Sequence, residues 1–76
     1  MNEGNMDTVI DLGSSKVKIS TFDQKKKIIS YFSEKIDDRE NIEEISSIIK
    51  KLINYSEKEI SNHIEDINLI FDHQNF

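Results

Sequence analysis

Residues 8–23, TVIDLGSSKVKISTFD, constrain the fold more tightly than any other stretch of the chain. A short apolar run, Val9-Ile10, leads into a carboxylate, Asp11, and soon after come three small residues, Gly13, Ser14 and Ser15. From Lys16 onward every second residue is apolar, with Val17 and Ile19 on one face and Lys16, Lys18 and Ser20 on the other. A period of two is that of a half-buried strand, and two strands flanking a small-residue turn make a hairpin. Such a turn can do more than reverse the chain. Successive backbone N–H groups that point the same way form an anion-binding concavity. Gly13 lets the backbone approach the anion closely, because no Cβ intervenes. Asp11 offers a hard oxygen to Mg²⁺ through a retained water, since that ion gives up its hydration shell reluctantly. The plainer reading of the same residues is a hairpin turn and nothing else.

The remainder of the chain extends the sheet and then changes period. Asp23, Gln24, Lys25 and Lys26 supply polar turn chemistry. A third strand is expected over residues 27–35, where Ile28, Ile29, Tyr31 and Phe32 give β-branched and aromatic content. The cluster Lys25-Lys26-Lys27 reads as solvated charge that discourages edge pairing at a hairpin tip, in preference to a phosphate site. After a break at residues 36–39, a helix begins near Asn41, with Glu44 three residues on as its capping partner. Ile42, Ile45, Ile48, Ile49, Leu52 and Ile53 recur at helical spacing. Glu40, Glu43 and Glu44 come early and Lys50 and Lys51 later, an order that suits the helix dipole. The helix is expected to run to about Asn62 and a strand to occupy residues 66–72, in preference to a second helix capped by Ser56 and Glu59. The fold class is therefore α/β of the α+β kind: three strands, a helix and a strand, behind a polar leader at residues 1–7.

Composition narrows the function. Seventy-six residues allow one small domain, which buries roughly 60% of its unfolded surface. Ten basic against fifteen acidic residues give a net charge of −5, which argues against a nucleic-acid surface. Without cysteine there is neither a disulfide framework nor a thiolate zinc site. No apolar run approaches the length of a membrane span, and the acidic start does not resemble a signal peptide. A cytoplasmic location is the expectation. His63 and His73 lack an obvious third ligand and read as surface residues. Asn54-Tyr55-Ser56 matches a glycosylation sequon that a cytoplasmic chain does not use.

The run Asp11-Leu12-Gly13-Ser14-Ser15-Lys16-Val17 resembles the first phosphate-binding motif of the actin-like ATPase superfamily. Its Lys16-Val17 ending resembles the bacterial cell-division protein FtsA and its relatives in particular. The resemblance implies ATP and Mg as cofactors. It implies that Asp11, Gly13, Ser14, Ser15 and Lys16 bind the nucleotide, with Asp11 on the metal side through water. Residues 8–37 would be the first strands of an actin-like lobe, carrying the phosphate hairpin. Residues 38–76 would be the start of the SHS2-type subdomain that interrupts this lobe in FtsA. The function implied is that of the N-terminal portion of a protein that tethers the FtsZ ring to the membrane during cell division. FtsZ and other FtsA-like subunits would be its partners, at the cytoplasmic face of the membrane.

Three features depart from the family. Val9 stands where many relatives have glycine, and residues 36–39 lack a glycine-rich turn. The second phosphate loop and the adenosine-binding loop, which close the nucleotide site from the other side, have no counterpart in these 76 residues. A one-sided contact competes with hydration and gains little, while phosphoryl transfer needs stabilisation from several directions at once. The chain alone is therefore not expected to hydrolyse ATP. The alternative is a small stand-alone α/β interaction module whose turn is only a turn. The two readings separate at the junction. A module packs its helix on the sheet around a single core. An FtsA-like piece sends the helix away with residues 66–72, so that Ile45, Ile49 and Leu52 face Leu69 and Phe71 and largely avoid Val17, Ile19 and Ile28. The short polar stretch 36–39 suits a linker, and the separated arrangement is the expectation.

Overall fold

The alternating N-terminal segments become an antiparallel meander of β1 (Asp7–Leu12), β2 (Lys16–Phe22) and β3 (Ile28–Lys35). Helix α1 (Ile42–Ile60) follows, and then β4 (Ile67–Phe71). A computed structural model describes residues 6–71 of the chain. Most of the expected leader (residues 1–5), together with Asp72 and His73, lies outside the described residues, as does the side chain of Phe71. The strand order is β3-β2-β1-β4, with β4 parallel to β1, so the molecule is a small α+β fold with a four-stranded mixed sheet and one helix.

Register and burial sort the side chains onto two faces. Ile10 sits opposite Ile19, which sits opposite Phe32; Leu12 pairs with Val17, and Thr8 with Thr21. These residues face α1, and Val17, Ile19 and Thr21 are fully enclosed. The intervening residues, including Asp11, Lys16, Lys18, Ser20, Tyr31 and Lys35, occupy the other face, which no helix covers among the described residues. Within the helix-side layer, Thr8 and Thr21 share a hydroxyl contact at 3.3 Å.

The helix starts where the capping pair places it. Asn41 adopts an extended backbone and its side chain accepts the Glu44 N–H at 3.0 Å, satisfying one of the orphan donors of the first turn. The Glu44 carboxylate does not return the favour to Asn41. It takes the N–H groups of Asp37 and Asp38 at 3.1 and 3.2 Å, and so pins the passage from β3 into the helix. The helix ends at Ser61, in the left-handed region with φ 56°, where the Ser61 and Asn62 N–H groups both reach the Glu57 carbonyl. That is the usual means of satisfying terminal carbonyls.

The expected separation of helix from sheet does not occur. Ile48 and Leu52 are buried with Ile10, Val17, Ile19 and Ile36 in one core, and Ile45, Ile49, Ile53, Leu12 and Phe32 pack around it. The helix lies on β2 and β3, and β4 joins the same sheet beside β1. The physical reason is the size of the apolar stripe. Each buried Ile or Leu contributes about 1.5–3 kcal/mol, and a five-residue strand alone could not cover the stripe, whereas the meander presents a ready apolar face. Ile36, read from sequence as part of a polar linker, is itself only 7% exposed and draws the chain back onto the sheet. At the β3 side of the helix the Phe32 and Tyr55 rings meet at 5.6 Å in a tilted arrangement, and Lys51 reaches Glu34 at 3.0 Å. The β4 edge of the sheet is less covered, leaving Leu69 about half exposed on the helix side, while Ile70, paired with Asp11, is about half exposed on the open face.

Candidate functional site

The residues singled out from sequence gather at one end of the sheet. Asp11 is the next-to-last residue of β1, on the face away from α1, directly across from Lys18 on β2 and Ile70 on β4. It is half-buried. Among the described residues the Asp11 and Lys18 side chains form no ion pair. Beyond Leu12 the chain turns through Gly13, Ser14 and Ser15, and Lys16 opens β2 exposed to solvent.

The turn spends only part of its hydrogen-bonding capacity. The Gly13 N–H donates to the Lys16 carbonyl at 3.0 Å and closes the hairpin. That amide is therefore not free to receive an anion, which corrects the expectation that the whole run of N–H groups points outward. Gly13 keeps φ negative, so what glycine contributes here is the missing Cβ and not a left-handed backbone. The Ser15 carbonyl accepts the Ile36 N–H at 2.9 Å, tying the turn to a core residue. Among the described residues the N–H groups of Ser14 and Ser15 have no partner, and both residues are exposed.

The position in the sheet adds to this. Because β1 and β4 run parallel as neighbours, their carboxyl ends open at the same edge, and the 13–15 turn sits at that edge. In open sheets with parallel neighbours, ligands are seated outside the carboxyl ends of the strands.

The turn between β2 and β3 is closed on itself. The Asp23 carboxylate accepts the Lys25 N–H at 2.8 Å and the Lys27 N–H at 3.0 Å. The Asp23 N–H reaches the Lys27 carbonyl at 2.9 Å, and the Lys26 N–H reaches the Asp23 carbonyl at 3.0 Å. These bonds, that from Lys27 foremost, hold the Asp23 carboxyl below its ordinary value. The three lysines at this tip thus belong to a self-capped turn.

The carboxylate that β1 brings to the turn is that of Asp11. Among the described residues no group of three or more His, Asp or Glu side chains is placed to hold an ion. His63 is largely exposed at the far end of α1, 3.7 Å from Glu57. Sequence reasoning passed over Lys35, which the sheet sets directly across from Lys16. Counting the register outward from the second hairpin would have set Glu34 there instead, because the pairing shifts by one residue between Thr21 and Phe22. No family model matches the chain, and no curated protein matches it. Among the described residues no helix is long and apolar enough to cross a membrane.

Proposed function

We propose that the 13–15 turn receives a phosphate of ATP, with Asp11 holding Mg²⁺ through water, and that the chain is the N-terminal portion of an FtsA-like actin-fold protein. The observation that carries this reading is the turn itself: two serine N–H groups without partners among the described residues, next to a carboxylate and a lysine, at the shared carboxyl edge of β1 and β4. Helix α1 and β4 then belong to the same lobe as the meander, whose sheet and core they share, and not to an SHS2-like subdomain. Tethering of the FtsZ ring, association with further FtsA-like subunits and a place at the cytoplasmic face of the membrane come with the family resemblance and are part of the same proposal. The chain supplies one side of a nucleotide site. Hydrolysis needs charge stabilisation and an oriented water from the other side as well.

A second reading rests on a different observation. One core unites helix and sheet, as a self-contained interaction module requires, and Leu69 and Ile70 remain about half exposed on β4. Calorimetric titration of Mg-ATP into the chain and into Asp11→Ala separates the two. The nucleotide reading expects weak, Mg-dependent binding, on the order of millimolar, that disappears in the variant while the fold persists. Equal affinity in the variant removes Asp11 from its role. No binding by the unaltered chain favours the module.

A further inference from the structure

We infer that Lys16 and Lys35 form a two-lysine seat beside the 13–15 turn, which selects ligands carrying two or more linked phosphates over a single phosphate. This rests on the phosphate reading of the turn. The two lysines are direct partners across the β2–β3 ladder. Both are exposed, and both lie on the face away from α1, because their neighbours Val17 and Glu34 face the helix side, Val17 in the core and Glu34 bonded to Lys51. Like charges set directly opposite each other destabilise a sheet. The chain has fifteen acidic residues with which to relieve that repulsion, yet among the described residues neither lysine makes an ion pair. Lys18, two residues along the same face, has the opposite charge of Asp11 as its partner across the ladder. The like-charged pair is the row nearest the turn.

Geometry sets the ligand class. The Ser14 and Ser15 N–H groups can cradle one phosphate. The ammonium groups stand on flexible stems whose Cβ atoms are roughly 5 Å apart, and they lie to the side of that cradle, within reach of a neighbouring phosphate. A single phosphate engages the turn alone; a linked pair engages both the turn and the lysines. The lysines at 25–27 offer more positive charge, but at the opposite end of β2 and in a turn whose N–H groups are already bonded.

The test is an amide-resolved NMR titration of the chain with inorganic pyrophosphate and with orthophosphate at matched ionic strength. The expected result is that both move Ser14 and Ser15, that pyrophosphate also moves Lys16 and Lys35, and that pyrophosphate binds more tightly. Lys35→Gln should weaken pyrophosphate about fivefold, near the upper end for one exposed charge contact, and leave orthophosphate nearly unchanged. Lys35→Arg, which keeps the charge, should retain the pyrophosphate affinity. If Lys35→Gln keeps full pyrophosphate affinity while Ser14 and Ser15 still respond, the lysine seat is wrong and the turn reading stands. If neither phosphate moves the turn in the unaltered chain, both fail. Equal responses at Lys25, Lys26 and Lys27 would mean diffuse attraction and overturn the inference.

Discussion

The two turns of the meander both join neighbouring antiparallel strands and end in opposite states. At 23–27, a single aspartate gathers two backbone N–H groups with its carboxylate and two more bonds with its backbone, so the turn is complete without outside help. At 13–15, one bond closes the hairpin, a core residue braces it through the Ser15 carbonyl, and two N–H groups are left over. Both turns lie close to lysines in sequence. The difference between them is whether the backbone donors beside the charge are already spent. Charge clusters alone point to the 23–27 tip, whose lysine N–H groups are bonded.

The largest effect should come from removing the brace. Ile36→Ala opens a cavity in the core and is expected to cost about 2–5 kcal/mol in denaturant unfolding. Hydrogen exchange should then show the Ile36 amide, which holds the first turn, losing protection before the amides of the second turn. Equal loss at both would mean that Ile36 does not support one turn in particular. A smaller change, of opposite sign, is expected at the other turn. Lys26 sits in the left-handed region with φ 68°, where a side chain costs roughly 1–2 kcal/mol relative to glycine. Lys26→Gly should therefore raise stability by about 1 kcal/mol. Its contact with Asp7, 3.4 Å between two exposed groups, is worth little. If pyrophosphate binding falls in this variant, the second turn is not the bystander described.

The smallest effect is a pH dependence. The folded state holds the Asp23 carboxyl below its ordinary value of 3.8, chiefly through the Lys27 N–H. A depressed folded-state value means stabilisation that is present above the unfolded-state value and is lost as the pH falls through the folded one. Asp23→Asn keeps an acceptor but removes the charge. Its melting temperature should drop less than that of the unaltered chain on acidification below that range. Identical acid sensitivity would show that the carboxylate's charge does not matter to the turn.

The strands and the helix were largely legible because each has its own period. Alternation marked β2, β-branched and aromatic content marked β3 within one residue at either end, and the Asn41–Glu44 pair marked the helix start. The preference for a strand near residues 66–72 over a second helix also holds, with β4 at Ile67–Phe71. Placement was another matter. A polar stretch at 36–39 resembles a linker by composition, but one residue in it, Ile36, is core, and composition averages that away. At the site, Asp11, Gly13 and the serines were legible as a motif. Which amides are spent was not, because hairpin closure consumes the Gly13 N–H and tertiary bracing consumes the Ser15 carbonyl. Lys35 was invisible for a related reason: its relation to Lys16 exists only across the ladder.

The contrast between the turns is tested most directly by following the amides of Ser14, Ser15, Lys25 and Lys27 in one spectrum as Mg-ATP is added to the chain. The expected result is a saturable shift at Ser14 and Ser15, with Lys25 and Lys27 unmoved because their N–H groups already bond to Asp23. Silence at Ser14 and Ser15 up to millimolar nucleotide, or movement of equal size at both turns, would contradict it.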